Sequence, residues 1–370
     1  MDTTIGGLPQ EIIDAIIEKN HIDKATLHVC SLVSRSWTYP SQRQMFSHIS
    51  FNRSCHYHSL HSRRRRDIER FNSFISIHPY LSMLVKSIEV SPLLDARLLG
   101  STLEKLINLE SIYLHLCGYS WDELSPSMRE TLITAFRSLR LTQLEIREGL
   151  FLHYADFVAL LATCPYLKYL SLTAISCEDL LLQPLINISG LQRLSVLTDG
   201  SGGLAKSMKV TKEILRLLNG SPLEHLVLNV CLAESLSNLI DTSHIRSMYI
   251  KLWWICRQQH TKPVEWLRWL TNLFRELSKW HRLEEVTLEI FYQSAFTSYG
   301  DDWATLDATL GQIESLRRVH LGLDAYDNAK ARWRHLREYP SCVANDVRNV
   351  LPILARRRIL SIEVAANYPD

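Results

Sequence analysis

Cys55, His56, His58 and His61 form the densest group of metal-ligating side chains in the sequence. Zinc binds Cys thiolate and His imidazole, but structural sites join two such groups, for example C-x₂₋₄-C with H-x₃₋₅-H. No second half accompanies this cluster, so it reads as part of a polar segment. Gly200-Ser201-Gly202-Gly203 has the composition of a phosphate loop without the Lys-Ser/Thr that should follow. It comes after Asp199 and reads as an insertion between elements. Asp301-Asp302 is an isolated acidic pair, not an acid–base dyad. H-E-x-x-H, G-x-S-x-G and kinase-type motifs are absent. No catalytic constellation emerges, and the expectation is a non-enzyme that needs neither cofactor nor metal.

Side chains suited to binding are more plentiful. Segment 51–80 holds six Arg against one Asp and one Glu, and Arg63, Arg64, Arg65 and Arg66 lie in its middle. Such a run could serve nuclear import or bind phosphate, but it more often marks a solvated linker. The four arginines lack the interleaved aromatics that would bind single strands. Trp253, Trp254, Trp266, Trp269 and Trp280 cluster in sequence. Tryptophan is favoured at binding hot spots. Trp266 and Trp269 sit at helical spacing among leucines and read as packing residues, which leaves Trp253 as a candidate anchor.

The elements that would carry these residues follow a repeat. L-x-x-L-x-L recurs at Leu109, Leu141, Leu167, Leu191 and Leu223, with weaker copies at Val85, Ile245, Leu283, Leu316 and Ile359, at intervals of 22 to 43 residues. Leucine-rich repeats run at about 20–29 residues, so the longer intervals imply insertions. Each copy predicts a short strand with its fourth and sixth positions in the core and its third, fifth and seventh outside. Apolar spacings of three and four near the strands predict helices. Start signals are Ser125-Pro126, and Thr211 before Lys212-Glu213. The expected fold class is α/β: an N-terminal three-helix domain, then a leucine-rich-repeat solenoid with parallel strands on its concave face and helices on its convex face. The ninth position of a copy suits a small polar turn residue. Cys117 and Cys231 fall there, with Asp199 and Asp324 as substitutes.

Residues 1–50 stand outside the repeat. Leu8 to Ile17 reads as one helix with Pro9 at its first position. Leu8, Ile12 and Ile16 form one apolar stripe, and Ile13 and Ile17 another. Asp23 is positioned to cap a second helix, and a third element carries Trp37 and Phe46. About 40 residues in three helices rarely stand alone. The second stripe either docks a partner, as in helix-in-groove recognition, or seals the helices over the first repeat as a cap. Expected boundaries are 1–50 for this domain, 51–80 for a basic linker and 81–370 for the repeats.

The run Leu8-Pro9-x-Glu11-Ile12-Ile13-x-x-Ile16-Ile17, then Leu27-x-x-Cys30-x-Leu32-Val33-Ser34-Arg35-x-Trp37, then Met45-Phe46, resembles an F-box. With Pro79-Tyr80-Leu81 leading into Val85, the whole is similar to fungal F-box proteins with divergent leucine-rich repeats. The resemblance implies a substrate-recognition subunit of a cullin–RING ubiquitin ligase, in the Ubl conjugation pathway that leads to protein degradation. In that family the F-box binds the Skp adaptor (S-phase kinase-associated protein) and the repeats hold the target protein. It implies that Leu8, Pro9, Ile12, Ile13, Ile16, Leu27, Val33 and Trp37 form or support the adaptor surface. The alternative is a ligase-independent interaction scaffold whose N-terminal helices cap the solenoid.

The outward strand positions supply candidate target-binding residues: Tyr113, His115, Arg147, Tyr169, Arg193, His225, Tyr249, Lys251, Trp253 and Arg318. This mixed-sign surface suits a protein better than nucleic acid, which needs a basic stripe. Lys plus Arg is 41 and Asp plus Glu 39, a net charge of +2, so no global field favours nucleic acid or an anionic membrane. No apolar run approaches the ~18 residues of a membrane span. The N-terminus lacks the basic and apolar regions of a secretory signal, and the eight scattered cysteines read as reduced thiols in a cytoplasmic or nuclear protein.

Overall fold

The computed structural model describes residues 8–21, 23–51, 61–91, 94–179, 188–197, 204–229, 236–252, 263–278, 282–292, 300–325 and 339–365. The chain forms two compact units, Met1–Gly149 and Leu150–Asp370.

The first unit opens with three helices, α1 (Gln10–Lys19), α2 (Lys24–Val33) and α3 (Arg35–Ser47). Helix α1 starts at Gln10 rather than Leu8 and runs on to Lys19, and Pro9 stands before it as the cap residue instead of at its first helical position. The Asp23 carboxylate accepts the Ala25 and Thr26 N–H groups at 3.0 and 3.1 Å and starts α2. Two N–H groups that a helix start leaves unpaired are satisfied this way. Pro40 lies inside α3, where it removes one backbone hydrogen bond. The chain then runs through β1 (His48–Ser50), α4 (His61–Ile77), α5 (Pro79–Ser82), β2 (Ser87–Val90), α6 (Ala96–Leu103), β3 (Ser111–His115), α7 (Pro126–Ser138) and β4 (Gln143–Arg147). Strands β1 to β4 are parallel and in sequence order, with His48, Ser87, Ser111 and Gln143 in one row. Ile88, Ile112, Leu114, Leu144 and Ile146 are buried, as are Leu99, Leu132 and Phe136 on the helices. Ser125 caps α7 by accepting the Met128 N–H at 3.2 Å, and Pro126 takes the first turn.

The second unit contains β5 (Leu150–His153), α8 (Tyr154–Ala162), β6 (Tyr169–Thr173), β7 (Ser176–Asp179), β8 (Arg193–Leu197), α9 (Leu204–Leu217), β9 (His225–Leu228) and β10 (Ser247–Lys251). It continues with α10 (Pro263–Leu277), β11 (Glu285–Tyr292), α11 (Gly300–Gly311), β12 (Arg318–Ala325), α12 (Tyr339–Val350), α13 (Pro352–Arg356) and β13 (Leu360–Ala365). Strands β6, β8, β9, β10, β11, β12 and β13 form a parallel ladder in that order. β5 and β7 pair separately.

Each of the ten copies of the motif becomes a strand. Nine begin at the third motif position, and β13 begins one residue earlier. The architecture is α/β with parallel sheet, built from strand-and-helix units.

Several details depart from the sequence reading. Segment 51–80 is more than a linker, since α4 occupies His61–Ile77 and buries Ile68 and Ile75. The three-helix module ends in a strand, because Ile49 pairs alongside Ile88. Thr211 does not cap α9. That helix starts at Leu204 and Thr211 is buried within it, because the apolar stripe extends back through Val210. Cys117 occupies a left-handed turn, φ 56°, before Gly118 at φ 78°; glycine adopts that region freely, whereas the Cβ of Cys117 disfavours it. Asp324 is no turn residue, because it pairs with Phe291 inside β12. β11, β12 and β13 run on for eight, eight and six residues. Cys117 is disulfide-bonded, whereas Cys30, Cys164 and Cys177 are free thiols, so the reduced-thiol reading fails at Cys117. Asp199, Cys231 and Gly200 to Gly203 lie outside the described residues, as do Cys55, His56 and His58.

A buried carboxylate secures the carboxyl end. Asp307 on α11 is 1% exposed and accepts the Ile353 and Leu354 N–H groups of α13 at 2.7 and 3.0 Å. The Arg357 guanidinium donates to the Gly311, Ile313 and Leu316 carbonyls at 2.9, 3.2 and 3.1 Å. A Cβ on Gly311 would fall 2.6 Å from Ile353 Cγ2, so glycine permits this approach.

Candidate interaction surfaces

Two apolar stripes run along α1, as the spacing predicts, and they meet different fates. Ile13 and Ile17 join Leu27 in a small closed core, with Trp37 and Met45 packed against it. Leu8, Ile12 and Ile16 face solvent at 50, 46 and 37% exposure. Residues spaced by four share a helix face, so Ile12 and Ile16 make one ridge, and exposed Leu8 lies just ahead of the Pro9 cap. Pro9 and Val33 are also exposed. Of the eight residues assigned to the adaptor surface, Leu8, Pro9, Ile12, Ile16 and Val33 are accessible. Ile13 and Leu27 hold the helices together, and Trp37 is half-buried against them. Leu8, Ile12 and Ile16 stay exposed, while His48–Ser50 directly after α3 pairs with β2.

Val29, Leu32 and Tyr39 are exposed as well and did not figure in the sequence assignment. The spacing of Val29, Leu32 and Val33 along α2 carries that signal. A half-buried free thiol, Cys30, sits among them.

In the first unit, the outward strand positions form a polar network. Tyr113 accepts a hydrogen bond from the Gln143 amide at 3.1 Å and meets His48 edge-on with centroids 5.6 Å apart. The His48 Nδ1 lies 2.8 Å from the Ser87 hydroxyl. The Ser50 hydroxyl donates to Glu89 at 2.6 Å. His115 Nε2 lies 2.9 Å from the Glu148 carboxylate. Arg147 pairs with Glu145, which is 8% exposed. Burial holds the His48 imidazole below its ordinary pKa of 6.5; Glu89 opposes the shift and Lys24 reinforces it. Burial works against the Arg147 charge, but Glu145 outweighs it and raises the guanidinium pKa.

In the second unit, Tyr169, Arg193, His225, Ser247, Glu285 and Arg318 share one row across neighbouring strands. His225 Nδ1 lies 2.6 Å from the Ser247 hydroxyl, and Arg318 pairs with Glu285 at 3.3 Å. Burial, reinforced by Arg193, lowers the His225 pKa. Further along the strands, Lys251 pairs with Glu289 at 3.1 Å. Burial and the Glu289 carboxylate raise the Tyr249 phenol pKa. Trp253 lies outside the described residues. Trp266 is buried and meets Trp303 edge-on at 5.7 Å, as a packing residue should.

Among the described residues, no three His, Cys, Asp or Glu side chains are placed to hold a metal ion, and no helix is long and apolar enough to cross a membrane. Burial raises the Cys164 thiol pKa to about 11, which keeps it protonated and unreactive at neutral pH.

No protein-family model matches the chain, and no curated protein matches its sequence.

Proposed function

We propose that the chain is the substrate-recognition subunit of an SCF-type cullin–RING ubiquitin ligase, with the α1–α3 module as its F-box. The exposure of Leu8, Ile12 and Ile16 beside a core already closed by Ile13, Ile17 and Leu27 carries this reading. An apolar ridge left in water is a cost that a partner's groove removes. A standard interface covers about 800 Å² per partner, and a few large apolar anchors supply most of its energy. The Skp adaptor is the partner that the residue pattern implies.

The module does no chemistry. It docks the adaptor while the strand faces hold a target protein, and the linkage raises the local concentration of acceptor lysines. Mixed charge on the strand faces, with ion pairs such as Arg318–Glu285 and Lys251–Glu289, suits a protein target with matching pairs. The candidate contacts there are Tyr113, His115, Arg147, Tyr169, Arg193, His225, Tyr249, Lys251 and Arg318.

Pull-down of the full chain with purified Skp adaptor tests the reading. Binding is expected, and the double substitution Ile12→Asp with Ile16→Asp should abolish it while leaving the thermal midpoint unchanged. A wild-type chain that fails to bind rejects the ligase role. Binding that survives the double substitution rejects the assigned surface.

A further inference from the structure

A second apolar surface, made by other side chains than the α1 ridge, lies on the same unit. Helix α4 turns Ile68 and Ile75 into the fold. Its outer face carries Arg66, Arg70, Phe74 and Ile77, all exposed, at spacings of four, four and three. The arginines occupy its amino-terminal part and the apolar residues its carboxyl-terminal part.

The apolar end continues beyond the helix. Phe74 stacks on Phe46 of α3 at 5.9 Å and meets His78 at 5.1 Å, and His78 meets Tyr80 at 6.3 Å. Met83 follows, and the Asn108 amide donates to its carbonyl at 2.9 Å. That bond fixes the turn carrying Ile107, which is 67% exposed, as Ile77 is 73% exposed.

We propose that the outer face of α4 and the adjoining turns dock a protein segment whose acidic residues meet the arginines and whose bulky apolar residues cover Ile77, Met83 and Ile107. Arginine is the cation best suited to bidentate contact with carboxylates. Exposed Glu104 adds an acidic group near the apolar end, and Glu110 is paired with Lys86 at 2.5 Å, so the surface alternates in sign and offers a uniformly anionic bilayer or nucleic acid no continuous basic stripe. A folded or folding peptide can match the alternation of sign instead. Ile77, Met83 and Ile107 also offer bases no aromatic face on which to stack. The proposal does not depend on the adaptor reading, because its side chains are separate from Leu8, Ile12 and Ile16.

Random short peptides displayed on phage and selected on the immobilised full chain provide the test. Enriched peptides should combine Asp or Glu with Leu, Ile or Phe. A synthetic copy should bind at least about tenfold more weakly to Arg66→Glu/Arg70→Glu and to Ile77→Ser/Met83→Ser. It should bind Ile12→Asp/Ile16→Asp as it binds the wild type. All six positions are exposed or partly exposed, and unchanged circular dichroism confirms that each variant is folded. Enriched peptides without acidic residues overturn the proposal, as does binding indifferent to either α4 variant. So does binding lost in the α1 variant. The proposal also falls if phosphatidylserine vesicles or a single-stranded RNA bind with the same dependence on these side chains.

Discussion

The amino-terminal helices and the repeat strands receive similar apolar residues and treat them in opposite ways. In β3 and β4 every core-facing residue is sealed: Ile112, Leu114, Leu144 and Ile146 are each at most 1% exposed. In α1, one of the two apolar stripes stays wet. The difference is one of geometry. A strand in a parallel ladder has neighbours on both sides and a helix over its apolar face, so its buried positions multiply with each repeat. Three short helices have little interior, and Ile13, Ile17 and Leu27 fill it. What remains outside is available for recognition. The repeats thus put their apolar residues into stability, and the helical module leaves part of its own for binding.

Substitutions can break this comparison. The largest loss is expected from Leu144→Ala, which hollows a sealed position and should cost about 2–5 kcal/mol by urea denaturation. Ile17→Ala should fall toward the lower end of the same range, because the small module can relax around the gap. An equal loss at both sites would mean that the module is as rigid as the sheet. Next in size comes Asp307→Ala, which leaves two N–H groups of α13 without their acceptor and should cost about 1–3 kcal/mol. Hydrogen exchange would show it as lost protection in α13.

The histidines sharpen the comparison through pH. Because burial depresses the folded pKa of His48, the unfolded chain takes up the proton more readily. The contribution of His48 to stability is complete above its ordinary value of 6.5. It declines as the pH falls through 6.5 toward the lower folded pKa. His48→Gln should flatten that part of the stability profile, measured by denaturant midpoints across the acid range. The smallest stability effect belongs to Ile16→Ser, within about 0.5 kcal/mol. A large loss there would place Ile16 in the core and remove the ridge.

The strands were the most legible part of the sequence. L-x-x-L-x-L has the period of a pleated ladder, and each copy becomes a strand because every repeat presents the same problem of burial. The helix starts at Ser125 and Asp23 were equally plain, since a cap is a local bond. The extension of α9 back to Leu204 was not, because tertiary burial of Val210 and Thr211 overrides the local start signal. Helix α4 was hidden by its arginines, whose charge resembles a linker until Ile68 and Ile75 are seen to anchor it. On the interaction surface, the two stripes of α1 were visible, but not which one closes the core.

By itself the sequence determined the alternation of strands and helices, the inward fourth and sixth positions of the strands before β13, and a helical piece at the amino end; it did not foresee that the fifth positions Glu145, Ser171 and Ser195 are buried as well. Those follow from periodicity, which is a property of the chain alone. Only the tertiary structure decided that Ile13 and Ile17 are spent on the core while Leu8, Ile12 and Ile16 remain in water, and that Asp307 reaches 46 residues ahead to cap α13. Both depend on which distant surfaces meet, and local spacing cannot encode that.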